Sequence, residues 1–309
     1  EFTPAQIEAE AYLKPTLFYV TNPNLGRSVS AEWIEDELRK VANDDAARLT
    51  FLSKHLNVEI GLSLRNSAWA GARYWQSAAD DTFADFQAFL DRCEVVVVGG
   101  DGGGLDDLFG GAFCGREKST RDWLIWAHGW CQPDVLERRK DIAPRLKDFE
   151  TAGELTICDR PTQDLEEFCD FVEMVRDAGL LPAENAVGLD PMGVAALVDE
   201  LASREIGGKQ VVGVGQGFRL NGAVLGAERK LKDGTLWHAG QDIMAWCVGN
   251  AKVEMRGNAA MITKQTAGRA KIDLLMAAIN AVFLMSLNPE GSAVASSPWD
   301  DPAYSLVDA

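Results

Sequence analysis

Three aspartates stand where this chain could do chemistry. Asp101 follows Val95-Val96-Val97-Val98-Gly99-Gly100, a buried-strand run that leaves its sheet through the glycine turn Gly102-Gly103-Gly104. Asp190 follows Ala186-Val187-Gly188-Leu189, immediately before Pro191, and Asp273 opens the last helical run in Lys271-Ile272-Asp273-Leu274-Leu275. In an open α/β sheet, chemistry collects at strand ends, where loops face solvent. Carboxylates gathered there without histidine or cysteine suit hard, octahedral Mg²⁺ or Mn²⁺. Two such ions activate water and stabilise the leaving oxygen of a phosphodiester. Taken singly, each aspartate reads equally as turn chemistry or as a charge favoured in a helix's first turn. The three together, with the strand order below, favour a metal site.

The glycines of Gly99 to Gly104 do not make a nucleotide loop, because G-x-x-x-x-G-K-[ST] occurs nowhere in the chain. Lys118-Ser119-Thr120 lacks the spaced glycines. The simpler reading is that glycine lets the backbone turn beside Asp101. From Arg219 to Lys271 the charge reverses, with nine basic residues (Arg219, Arg229, Lys230, Lys232, Lys252, Arg256, Lys264, Arg269, Lys271) against four acidic ones. A solvated face would read the same way. Beside an acidic metal cluster, such a stretch is what a phosphate backbone requires, and Arg229, Lys230, Lys232, Lys264 and Lys271 are its candidate DNA contacts. Trp123, Trp126, Trp130, Trp237 and Trp246 read as core rather than as base-stacking platforms.

Elsewhere the chain is acidic, with 30 Lys and Arg against 47 Asp and Glu for a net −17, which excludes a uniformly basic nucleic-acid coat. Its 309 residues, 47% hydrophobic and 25% charged, suffice for a large core without disulfide or zinc staples. The six cysteines form no C-x-x-C pair and there are three histidines, so a reducing cytoplasm is expected rather than a disulfide framework. The longest apolar stretch, Leu274 to Leu287, is interrupted by Asn280 and falls short of the ~20 residues that span a bilayer. No signal peptide is read at the start, which is Glu1-Phe2 without methionine. The expectation is a fragment whose upstream domain is missing.

Residues 1–94 read as a helical N-terminal arm, with Phe18-Tyr19-Val20 a short strand, a turn at Thr21 to Gly26, and Ser30 capping a helix. Asp85 to Arg92 reads as a helix. The valine run, Leu108 to Cys114 and Trp123 to Cys131 form an antiparallel meander. Then helix and strand alternate: a helix over Val135 to Glu150, a strand at Leu155 to Cys158, a helix from Gln163 to Ala178. A strand at Ala186 to Asp190, a helix from Val194 to Ser203, a strand at Gln210 to Val214 and a final helix over 271–287 complete the order. The predicted fold class is α/β, a mixed sheet of antiparallel meander then parallel strands flanked by helices, which is the ribonuclease H-like order. The expected domains are the arm over 1–94, a catalytic domain over 95–287 and a flexible acidic tail over 288–309.

Several segments resemble the nuclease domain of phage large terminase subunits. Gly99-Gly100-Asp101-Gly102-Gly103-Gly104-Leu105-Asp106-Asp107-Leu108 resembles its opening motif, as does Gly153-Glu154-Leu155-Thr156 followed by Leu165-Glu166-Glu167-Phe168. Leu189-Asp190-Pro191 resembles its second acidic strand end. Most characteristic is Leu236-Trp237-His238 through Met244-Ala245-Trp246-Cys247-Val248-Gly249-Asn250, continuing through Gly257-Asn258, Lys264 and Lys271-Ile272-Asp273. Thr21-Asn22-Pro23-Asn24-Leu25-Gly26 resembles the segment by which the ATPase half leads into the nuclease half. The likeness covers about residues 15–287.

The resemblance implies a metal-dependent endonuclease that cuts concatemeric viral double-stranded DNA during packaging, working at the prohead in the host cytoplasm. It implies that Asp101, Asp190 and Asp273 hold two Mg²⁺ or Mn²⁺ ions, with Asp107 an accessory acid, and it leaves Asn250 and Lys264 without a role. It implies a portal protein and a small terminase subunit as partners, and no membrane. The family's upstream motor carries a phosphate loop that this sequence lacks, so DNA cutting without translocation is expected. Two rivals remain: an actin-like or sugar-kinase-type nucleotide-binding enzyme, which needs a second phosphate turn not found here, and an inactive docking module with vestigial acids.

Overall fold

Four valines buried on both sides dictate the centre of the sheet. The computed structural model describes residues 2–3, 6, 9–42, 45–57, 68–104, 106–257, 259–264 and 271–291. In it, β1 (Cys93–Gly102) has Val95 to Val98 fully buried, as a strand covered on both faces requires. β2 (Leu108–Glu117) and β3 (Trp123–Cys131) complete the antiparallel meander, with Val97 opposite Cys114 and Phe113 opposite Trp126. On the other side of β1, β5 (Val187–Leu189) and then β6 (Val211–Gly213) add in parallel. β4 (Leu155–Ile157) and β7 (Leu236–His238) both lie parallel to β3 along its outer edge, β7 beside its start and β4 beside its end. Between them the side-chain amide of Gln241 does the work of a strand residue. It accepts from Ala127 N at 2.9 Å and donates to Ala127 O.

The chain divides into two compact units, Glu1–Arg73 and Tyr74–Ala309, so residues 74–94 group with the sheet. The first unit holds α1 (Ala31–Lys40) and α2 (Asp45–Leu56) around Phe18, Ile34 and Leu56. Ser30 caps α1 by accepting from Trp33 N at 3.1 Å. Phe18 to Val20 are not a strand but the end of a 3₁₀ helix, Pro15–Val20. Pro15 presets φ at its first turn, and Asn22 Nδ2 donates to Phe18 O and His55 O at its end.

Helices of the second unit are α3 (Phe86–Arg92), α4 (Pro133–Arg138), α5 (Ala143–Thr151), α6 (Gln163–Asp177), α7 (Ala195–Ser203), α8 (Asn221–Asp233), α9 (Asp242–Gly249) and α10 (Asp273–Met285). The single helix expected over Val135 to Glu150 is two. Pro144 has no N–H and its ring clashes with a helical carbonyl four residues back, so the helix stops and restarts at Ala143. One face of the sheet, through Val96, Val98, Phe109 and Phe113, packs with Phe168, Val172 and Val175 of α6 and Leu197 and Leu201 of α7. The other face carries α10, flanked by α8 and α9. β8 (Ala251–Arg256) and β9 (Ala259–Lys264) form a separate hairpin. Asn258 and Arg269, and the tail from 292, lie outside the described residues, as does the side chain of Arg256.

α10 approaches the sheet backbone to backbone. A Cβ on Gly99 would sit 1.9 Å from Ala277 O, and one on Gly110 would sit 2.8 Å from the carbonyl carbon of Asp273. Within the run from Gly99 to Gly104, it is Gly102, Gly103 and Gly104 that turn the chain, with φ of 84°, 106° and 105°. Gly99→Ala has no side-chain neighbour to give way, and is expected to lower the unfolding free energy by about 1–3 kcal/mol. Gly226→Ala, where a new Cβ on α8 meets open space, is expected to raise it by about 0.5–1 kcal/mol. Denaturant unfolding of both checks this, and an unchanged Gly99→Ala midpoint contradicts the packing.

Candidate active site

The ladder between β1 and β5 ends at Gly100 opposite Leu189. The residues that follow, Asp101 and Asp190, therefore stand side by side at the carboxyl ends of neighbouring parallel strands. Asp101 shares the face of Gly99 and is paired in register with Gly110, the glycine pressed against the backbone of Asp273. Asp273 is the first residue of α10 and is 3% exposed. A Cβ on Gly102 would lie 3.1 Å from its Oδ1. Asp190 Oδ1 accepts from Met192 N at 3.1 Å, which bends the chain away from the strand. Asp101 and Asp190 line a cleft of about 170 Å³ walled by Phe109, Met192 and Leu197.

The charges of these acids reach one another. Burial holds the Asp101 carboxyl well above the usual carboxylate range, and the charges of Asp273 and Asp190 raise it further while Lys264 opposes them. Burial likewise raises Asp273, with the charge of Asp107 adding to it and Lys264 and Lys271 opposing. Asp273 Oδ2 is buried with no hydrogen-bond partner, a costly state for a carboxylate oxygen.

Two lysines stand among these acids. Lys264, at the end of β9, places Nζ 3.7 Å from Asp107 Oδ2 and 3.8 Å from Asp273 Oδ1. Lys271, 2% exposed, forms a tight ion pair with Asp107 and reaches Asp106 O at 3.4 Å. Asp106 pairs with Arg139 at 3.2 Å, so the loop after β1 is tied down from two sides. Asn250 Nδ2 donates to Lys271 O at 3.0 Å, holding the segment that leads to Asp273. Glu154 accepts from Asp242 N and Ile243 N at 3.1 and 2.8 Å and caps α9. His238 is remote from the acids: it stacks on Trp75, bonds Trp75 O at 2.7 Å, and burial pushes its pKa down to about 4.

The remaining basic candidates lie elsewhere. Arg229, Lys230 and Lys232 occupy the last turns of α8, with Lys230 Nζ 4.3 Å over the Trp123 ring. Trp123 pairs with Arg116 and Arg116 with Val95, six residues before Asp101 and hence ~20 Å along the strand. These three cations therefore sit at the opposite end of the sheet from the acids. Trp126 and Trp130 are core, and Trp123, Trp237 and Trp246 are half-buried against Lys230, Asp122 and Phe149.

Among the described residues, no three His, Cys, Asp or Glu side chains are drawn together as a finished metal cage. The donor set nonetheless fits a hard divalent ion: it is all oxygen, its carboxyls repel one another, and one oxygen is orphaned. The Lys264 ammonium supplies part of the positive charge that such an ion would bring.

An acid whose folded pKa is raised makes the fold bind more protons than the unfolded chain, so its contribution to stability falls as pH rises from the unfolded toward the folded value. Asp101→Asn is accordingly expected to raise the unfolding midpoint of the metal-free protein at pH 7 by ~2–4 °C, with the difference from the parent shrinking as pH falls toward 4. Thermal denaturation in chelator measures it, and a lower midpoint for Asp101→Asn at pH 7 contradicts the repulsion. Lys264→Met is expected to lower the same midpoint by a similar ~2–4 °C.

The family profile described as terminase large subunit, endonuclease domain, matches residues 4–288. YmfN of Escherichia coli strain K12 is 23% identical over 252 residues, 79% of this chain and 53% of YmfN. The crystal structure of the HK97 bacteriophage large terminase aligns with a TM-score of 0.54 at 17% identity, covering 88% of this chain and 54% of that one. The crystal structure of the large terminase nuclease from thermophilic phage G20c with bound magnesium gives a TM-score of 0.39 at 11% identity, covering 61% of this chain and 80% of that one. This chain thus spans about half the length of YmfN and of the HK97 protein. The HK97 likeness concerns the fold, a ribonuclease H-like mixed sheet flanked by helices. With its profile matched over nearly every residue, the chain belongs to the terminase large subunit family, through the endonuclease domain.

Proposed function

We propose that this chain is a divalent-metal-dependent endodeoxyribonuclease that cuts concatemeric viral double-stranded DNA during genome packaging, with Asp101, Asp190 and Asp273 as the ligands of two Mg²⁺ or Mn²⁺ ions. The observation that supports the reading is that acids from three separate elements stand at one sheet end, where burial and neighbouring carboxylate charge raise both Asp101 (Asp273 and Asp190 nearby) and Asp273 (Asp107 nearby). Bound, the ions would lower the pKa of the attacking water and neutralise the leaving 3′ oxygen. The chain's own residues do the rest. Strand pairing positions Asp101 and the end of β5 from which Asp190 follows, the start of α10 positions Asp273, and the apolar walls of Phe109 and Leu197 limit water around Asp101 and Asp190. Asp107, engaged by Lys264 and Lys271, sets the loop and the local charge from beside the ligands. Lys264 is the cation best placed to meet a phosphate once it leaves the acids, whereas Lys271 is enclosed. Among the described residues no helix is long and apolar enough to cross a membrane. A portal protein, a small terminase subunit and a place at the prohead in the host cytoplasm belong to the same proposal for the whole subunit.

Plasmid cleavage in Mn²⁺ tests it. Asp101→Asn, Asp190→Asn and Asp273→Asn should each cut at least ~100-fold more slowly, since losing even an outer-shell partner costs 10–100-fold. Their circular dichroism should match the parent. Charge reversal at Arg229 and Lys232 should leave the rate within about twofold, given their distance from the acids. A folded parent that cuts no DNA in either metal would favour the docking module, and an Asp273→Asn variant as fast as the parent would remove Asp273 from the set.

A further inference from the structure

A carboxamide inside an apolar helix costs about 1–3 kcal/mol unless its hydrogen bonds are made. In α10, Asp273-Leu-Leu-Met-Ala-Ala-Ile-Asn280-Ala-Val-Phe-Leu-Met285, the two polar residues are Asp273 and Asn280. Asn280 has no solvent exposure. Its Nδ2 donates to Gly100 O at 3.1 Å, and its Oδ1 accepts from Gln216 Nε2 at 3.3 Å. Gly100 is where the β1–β5 ladder ends and directly precedes Asp101. Gln216 follows β6, whose neighbour β5 leads into Asp190. Asn280 and Asp273 are seven residues apart, two turns and ~10.5 Å along one face of the helix.

Gly99 of β1 meets the helix backbone at Ala277 and Ala281, and Gly110 of β2 meets it at Asp273 and Leu274, while the Leu274 and Leu284 side chains lie over Gly129 of β3 and Gly188 of β5. These contacts are apolar or steric, and one directional polar contact in an apolar interface is a known way to fix register. We propose that Asn280 is a positioning residue that fixes α10 against the end of β1, and so sets Asp273 against Asp101 at the spacing a metal pair needs. The proposal rests on the metal-centre reading above. The bland alternative is a core amide that satisfies its own hydrogen bonds and nothing more.

Asn280→Leu keeps the volume and removes both bonds, while Gln216→Ala removes one bond from a half-buried position. Three quantities are read: the separation of the Asp101 and Asp273 carboxylates in metal-free crystals, Mn²⁺ affinity by calorimetry, and the thermal midpoint in chelator. Asn280→Leu is expected to shift or disorder the carboxylate pair and weaken Mn²⁺ about tenfold, the low end for loss of an outer-shell partner. Gln216→Ala should weaken Mn²⁺ less than Asn280→Leu does, and lower the midpoint by ~2–4 °C because Asn280 Oδ1 loses its donor. Parental carboxylate separation and Mn²⁺ affinity in Asn280→Leu overturn the proposal. If Asn280→Leu does not fold, Gln216→Ala decides: weaker Mn²⁺ supports the positioning role, and parental affinity overturns it. If the parent binds no Mn²⁺, the metal-centre reading fails, and the carboxylate separation in the metal-free variants still decides whether Asn280 sets the pair.

Discussion

The close approach of α10 to β1 is the constraint on which the rest depends. A helix is normally held off a sheet by the side chains between them. Here the strands carry none at Gly99 and Gly110, and the helix backbone at Ala277, Ala281 and Asp273 comes down onto them. The first residue of the helix is thereby brought down to the edge where two strands end in Asp101 and Asp190. A single added methyl at Gly99 would lift the helix, and Asp273 would go with it. Packing and chemistry are thus one feature of this fold, and among the described residues the deeply buried α10 carries the least exposed acid.

That geometry carries an electrostatic cost. Asp101 and Asp273 lie in a partly dry corner, where neighbouring carboxylate charges oppose their ionisation and where one Asp273 oxygen finds no donor. Lys264 and Lys271 offset the repulsion unequally. Lys271 is enclosed and belongs to the architecture of the loop through Asp107. Lys264 sits at the end of a two-stranded hairpin and faces both Asp107 and Asp273 at more than 3.5 Å, too long for hydrogen bonds. A divalent ion bound as proposed would compete with that ammonium for the same oxygens, which would link metal binding to the position of β9.

Strand pattern and strand-end acids were readable from the residues because burial writes itself locally. The valine run, the meander and the parallel additions depend on runs of a few residues, and Asp101 and Asp190 follow from them. What was not readable depends on pairings far apart in sequence. β7 is three residues long and gains its place by pairing with β3. A charge count over Arg219 to Lys271 found the basic stretch but could not say which end of the sheet each cation reaches. Arg229 to Lys232 went to one end, Lys264 and Lys271 to the other. Lys271 reads as a solvent-facing cation until Asp107 is seen against it. The Pro144 break was in the letters and was outweighed by the apolar spacing around it. Asn280 was visible only as an interruption of an apolar run, and its partner carbonyl lies 180 residues away.

In the proposed function Asp101, Asp190 and Asp273 act as one metal-binding unit. Anomalous scattering from crystals soaked in Mn²⁺ tests it most directly. Two manganese peaks are expected ~3.5–4 Å apart among these three carboxylates, with the Lys264 ammonium withdrawn from Asp273. Crystals that hold no manganese there, or that hold it while Lys264 stays in place between Asp107 and Asp273, would contradict it.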